Sequence, residues 1–149
     1  MKFLKIQLRK RLFSKILVAI DGSESAKKAF TTSIYLASIS SCRIDVIHVV
    51  SCEFGGDSAA SLELVEDLKI KANSMLEEYK KYALEKDIRP KFMLEIGDPA
   101  NMIIEIVNSK DYDLVVLGTR GMNVFKELVL GSVSIKVMHH AKCPVMVVR

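Results

Sequence analysis

The sequence predicts an open α/β fold: one five-stranded parallel sheet with helices on both faces. Three observations carry this. Short runs rich in Val, Ile and Leu alternate with longer segments of helical period. The runs are apolar almost throughout, as strands covered on both sides require, and do not alternate with polar residues. The order is strand then helix, repeated four times and closed by a strand, which right-handed crossovers turn into a parallel sheet. A length of 149 residues suits one domain, and an apolar content of 50% supplies its core.

Residues 15–20 (KILVAI) form the first predicted strand, which stops at Asp21-Gly22-Ser23. Residues 24–40 set Ala26, Ala29, Phe30, Ser33 and Ala37 on one stripe of a helix. Residues 43–50 (RIDVIHVV) form a second strand, rich in β-branched residues. After a loop with Gly55-Gly56-Asp57, residues 59–86 repeat Val65, Leu68, Ala72, Met75, Leu76 and Tyr79 at helical spacing. Residues 89–96 (RPKFMLEI) form a third strand, and Pro90 keeps its start out of a central ladder. Asp98-Pro99 then reads as N-cap and first helical residue, ahead of Ile103, Ile104, Ile106 and Val107. Residues 113–117 (DLVVL) form a fourth strand, 132–141 a short helix, and 144–148 (PVMVV) the last strand.

The net charge of +4 is unevenly placed. Lys2, Lys5, Arg9, Lys10, Arg11 and Lys15 face no acid in the first fifteen residues. Without those six, sixteen basic residues meet eighteen acidic ones, so the body does not read as a nucleic-acid binder. The division is therefore a basic extension, residues 1–14, and a domain, residues 15–149. The extension interleaves its charges with Phe3, Leu4, Ile6, Leu8, Leu12 and Phe13 but lacks the continuous apolar stretch of a secretory signal. A plain extension, or one packed on its own domain, is favoured over an amphipathic segment that touches membrane. No apolar run approaches the ~18 residues of a membrane span. Cys42, Cys52 and Cys143 stand far apart, without CxxC or Cys/His spacing, and read as buried thiols of a reducing, cytoplasmic compartment.

In open α/β sheets, ligands bind outside the carboxyl ends of the strands. After the fourth strand comes Gly118-Thr119-Arg120-Gly121, then nine residues, then Gly131-Ser132-Val133-Ser134: GxxG-x9-GS. Glycines permit φ > 0 and a close approach to a ligand. The helix that opens at Gly131-Ser132 presents unpaired N–H groups to an anion, and the hydroxyls of Ser132 and Ser134 can add hydrogen bonds to phosphate oxygens. Loop amides can complete an anion-binding nest. The alternative is a tight turn followed by an ordinary helix start. The pattern is neither a Walker A loop nor the Rossmann fingerprint. His48 reads as a satisfied strand histidine, and His139-His140 as complements to a helix dipole. No acid or cysteine partners them at triad spacing.

The GxxG-x9-GS element resembles the ATP-binding signature of the universal stress protein family. KILVAIDGSESA, IHVV, GDPANMIIE, DLVVLGTRG and AKCPVMVVR resemble that family's strands and helix starts, so the likeness covers residues 15–149. It implies a Rossmann-like, adenine nucleotide alpha hydrolase-like sheet holding ATP. Ala19 and Val49 would flank the adenine, with the Val49 backbone supplying hydrogen bonds. Asp21 would lie near ribose or phosphates, through a divalent ion such as Mg2+ or Mn2+; a turn or N-cap aspartate is its other reading. Gly118, Gly121, Gly131 and Ser132 match the motif, and Thr119, Arg120, Val133 and Ser134 occupy contributing positions. Three roles follow: an ATP-binding regulatory protein, a slow ATP hydrolase, or an interaction module that does not need nucleotide. The bare edge of the last strand also implies a homodimer through that strand.

Overall fold

The computed structural model describes residues 13–51, 59–119 and 130–149. The elements are β1 (Lys15–Ala19), α1 (Glu24–Ser40), β2 (Arg43–Val50), α2 (Ala59–Glu85), β3 (Lys91–Ile96), α3 (Pro99–Ser109), β4 (Leu114–Gly118), α4 (Ser132–His140) and β5 (Val145–Val148). All pairings are parallel and the strand order is β3-β2-β1-β4-β5. Type and order of every predicted element hold. Strand ends shift by one or two residues: β3 begins after Pro90, which has no N–H for the ladder, and β4 runs on through Gly118.

The side-chain period of two splits each strand between two cores. Ile16 and Val18 of β1, Ile44 and Val46 of β2, and Leu114 and Val116 of β4 face α1 and α2. Leu17, Ile47, Val115 and Leu117 face α3 and α4. Fully buried strands explain the uninterrupted apolar runs. The small stripe of α1, Ala26, Ala29, Ser33 and Ala37, is buried as predicted. Buried Ser33 satisfies its hydroxyl on the Ala29 carbonyl at 2.8 Å. Phe30 anchors this side edge-on to Tyr79, ring centroids 4.8 Å apart. Burying a Phe contributes about 2–3 kcal/mol.

Local chemistry sets the helix starts. Ser23 caps α1 by accepting from Ala26 N–H at 3.2 Å, and Asp98 caps α3 by accepting from Asn101 N–H at 2.8 Å, with Pro99 next as predicted. At the other edge Asp113 clasps the start of β1, its carboxylate accepting from Ser14 N–H at 2.6 Å and Lys15 N–H at 2.8 Å. Cys42 and Cys143 are free but half-buried, which corrects the expectation of buried thiols. Burial holds the Cys143 thiol above its usual range. Cys52 lies outside the described residues. Among the described residues no helix is long and apolar enough to cross a membrane.

Candidate functional site

The strand order makes β1 and β4 neighbours, yet the chain leaves their carboxyl ends toward opposite faces. From β1 it turns to α1, on the first core; from β4 it reaches α4, on the second. The diverging exits leave a crevice at that edge. Asp21, Gly118, Thr119 and the start of α4 all meet there.

Asp21 closes β1 in a tight turn. Its carboxylate accepts from Ser23 N–H at 2.9 Å, and Gly22 takes φ 86°, a conformation that favours glycine. The turn-aspartate reading is thus realised, with one carboxylate oxygen left over. The N-cap is Ser23. Across the crevice, Thr119 is buried, donates its N–H to the Val148 carbonyl at 2.9 Å and accepts from Gly131 N–H at 2.7 Å. That last bond closes the base of the loop between β4 and α4. Arg120 and Gly121 fall within residues 120–129, outside the described residues.

Three expectations about this segment change. Gly118 is a strand residue without positive φ, and a Cβ there would sit 2.4 Å from Ser25 Oγ and 2.7 Å from Ala26 N. Its missing side chain admits the first turn of α1. Gly131 N–H, expected to face an anion, is used by Thr119. Ser134 is buried and donates its hydroxyl to the Gly118 carbonyl at 2.8 Å, so it ties α4 to β4. What remains open is the first turn of α4. Ser132 is exposed, no side chain among the described residues caps the helix, and the amides of Ser132, Val133 and Ser134 lack intrahelical acceptors by construction.

Ala19 is half-buried and Val49 buried, both on the face that also holds Leu117 and Val133. The Ile47 carbonyl accepts from Ile20 in the direction of β1, and the Val50 carbonyl accepts from Gly97 beside β3. Alternation along a strand therefore aims the Val49 peptide groups toward β1, beyond the point where β1 has ended. His48 is satisfied, its Nδ1–H donating to the Ile20 carbonyl at 2.8 Å. His139 and His140 close the last turn of α4. Sequence reasoning missed Ser25 against Gly118, and Lys136, which reaches the α3 cap Asp98 at 3.6 Å. Neither leaves a periodic signal, because both contacts join elements distant in sequence.

A model of the universal stress protein family matches residues 12–149. The chain belongs to the universal stress protein family. A relative of that family, universal stress protein YxiE of Bacillus subtilis, is 31% identical over 153 residues, covering 93% of this chain and 100% of that one. The universal stress protein UspA of Lactobacillus plantarum superimposes with a TM-score of 0.84 at 26% identity, covering 91% of this chain and 97% of its own. A universal stress protein family protein of Arabidopsis thaliana, solved with AMP bound, gives a TM-score of 0.68 at 25% identity, covering 91% and 90%. This universal stress protein thus shares with those structures its α/β fold.

Proposed function

We propose that this universal stress protein is a regulatory protein that binds ATP at the carboxyl edge of its sheet. The observation that carries the reading is the uncapped first turn of α4, held beside the β1–β4 crevice by the Thr119–Gly131 and Ser134–Gly118 bonds. Its amides and positive dipole end suit phosphate. The AMP-bound Arabidopsis relative supports an adenine nucleotide. In this reading the adenine sits by Ala19 and Val49. The phosphates meet Ser132, Val133 and the amide of Ser134, with Arg120 and Gly121 from the loop.

The fit to a divalent ion rests on Asp21 and the phosphates together. Among the described residues no three His, Cys, Asp or Glu side chains group to hold a metal unaided. Asp21 keeps one carboxylate oxygen free of the Ser23 amide, which suits a shared ion such as Mg2+ or Mn2+. When bound, the ion would offset phosphate charge. Hydrolysis would be slow, because among the described residues Asp21 is the one obvious candidate at this edge for positioning a water. Occupancy would instead change the segment between Gly118 and Gly131 and so a partner surface.

A homodimer through β5 completes the reading. The strand lies at the sheet's edge with Val145, Met146, Val147 and Val148 all half-buried, a surface that a second copy would cover.

Mass spectrometry of nucleotide carried through purification, followed by ATP titration, tests the site. The expected result is copurified adenine nucleotide. Gly121→Val should abolish binding while leaving the circular dichroism spectrum intact. Unchanged ATP affinity in that variant would refute the assignment. Single-turnover hydrolysis compared with Asp21→Ala separates regulator from hydrolase: a turnover of minutes or faster that collapses in the variant would favour the enzyme.

A further inference from the structure

At the carboxyl edge, β1 and β2 stop pairing one rung earlier than their residues allow. Ile20 N–H donates to the Ile47 carbonyl at 2.9 Å, just beyond the last paired residues, Ala19 and Ile47. A parallel ladder would continue with Val49 N–H donating to the Ile20 carbonyl. That rung is not made. The register stops at Ala19 and Ile47, and the Ile20 carbonyl accepts instead from His48 Nδ1–H at 2.8 Å.

Two features hold this arrangement. Ile20 is 4% exposed, so its carbonyl needs a donor from within the protein. The half-buried imidazole of His48 supplies it, from the residue next to Val49. A carbonyl only accepts, so Nδ1 carries the proton and the ring's orientation is fixed. Directly after Ile20 the chain leaves the sheet, where Asp21 accepts from Ser23 N–H at 2.9 Å and Gly22 takes φ 86°. β1 therefore offers Val49 no later partner.

On its other side Val49 stands in register with Glu95 of β3, but its own peptide groups face away from that strand. The Val50 carbonyl is the one that accepts from Gly97, and direction alternates along a strand. Val49 N–H and C=O thus stand together at the carboxyl edge, near half-buried Ala19, with no ladder partner among the described residues. A donor beside an acceptor suits the edge of adenine, which carries an N6–H2 donor beside ring-nitrogen acceptors.

We propose that His48 is a positioning residue for the nucleotide base: by occupying the Ile20 carbonyl it stops the β1–β2 ladder and keeps the Val49 peptide groups open to the adenine edge. The role rests on the proposed nucleotide site. His48 itself touches no ligand there and acts through Ile20 and Val49. Without the ring, the buried Ile20 carbonyl is left with no donor, a costly state that the Val49 amide relieves by closing the missing rung. The base would then meet a strand whose donor is already spent.

Amide hydrogen exchange of the full chain, read by NMR, and ATP titration test this in the parent, His48→Leu and His48→Asn. The asparagine amide can donate from nearly the place of Nδ1. Without nucleotide, Val49 N–H of the parent should exchange much faster than Ile47 N–H, and ATP should slow it. His48→Leu should slow Val49 exchange without nucleotide and weaken ATP binding about tenfold. His48→Asn should restore both, which a mere loss of packing would not allow. A parent Val49 N–H as protected as Ile47 N–H would overturn the proposal. So would a His48→Leu variant whose Val49 exchange and ATP affinity match the parent's, or a His48→Asn variant that behaves as His48→Leu does. A parent that takes up no ATP sinks the nucleotide reading and this role with it, whereas an unmoved His48→Leu sinks this role alone.

Discussion

Tyr79 buries a phenol whose hydroxyl has no hydrogen-bond partner among the described residues, although the residue is 7% exposed. Burial, and then the carboxylates of Asp21, Glu24 and Glu78, push its pKa up to about 12. An unpaired buried hydroxyl is a cost, so Tyr79→Phe should stabilise the fold by about 1 kcal/mol at neutral pH, read by urea unfolding. In the unfolded chain the phenol ionises near pH ~10. Between there and about 12 the unfolded state has lost a proton that the native state keeps, so stability falls as pH rises through that window. Tyr112, held above its ordinary range by burial and its bond to Asp45, adds a decline of the same sign. Tyr79→Phe should make the alkaline decline shallower without removing it. An unaltered slope would mean that Tyr79 does not titrate there. The two site serines separate in the same way. Ser134→Ala deprives the Gly118 carbonyl of its hydroxyl donor and should cost about 1–3 kcal/mol. Ser132→Ala, at an exposed position, should weaken ATP binding with stability held within about 0.5 kcal/mol. Equal stability losses would contradict the different roles given to them.

At the level of elements, caps and turns were legible because they are local chemistry. Asp98-Pro99 announced the start of α3, and the structure bears it out. Asp98→Ala should cost about 0.5–2 kcal/mol, nearly all from the lost cap, since the exposed ion pair with Lys136 contributes little. Asp98→Asn keeps the cap and drops the charge, and its urea midpoint should stay close to the parent's. How much of α2 would be buried was less legible. The stripe along α2 reads as one amphipathic face, yet Ala72, Leu76 and Tyr79 are buried while Val65 and Leu68 are half-buried. Period shows which side of a helix turns inward and not how much of its length finds something to pack on.

The whole molecule adds a sheet edge whose hydrogen-bonding direction is known. The Pro144 and Val148 carbonyls accept from β4, so by alternation the peptide groups of Val145 and Val147 point outward. Val147→Pro removes an outward N–H and spares the β4–β5 ladder. In sedimentation velocity it should convert a dimer to a monomer with ATP binding retained. A parent chain that is already monomeric at micromolar concentration, or a variant that still dimerises, would exclude pairing through β5. The carboxyl and amino-terminal edges are opposite ends of one sheet, so substitutions at one should be additive with those at the other.

Sequence by itself determined the element order, the inward stripe of α1 and the α3 cap. These follow from periodicity and from residues a few places apart, where the chain's own geometry sets who can meet. The tertiary structure decided the division of labour at the site. Gly118 makes room for α1, Ser134 and Gly131 brace the loop base, and Ser132 stays open. Such facts depend on which distant segments pack together, and a donor's partner across the fold leaves no periodic trace along the chain.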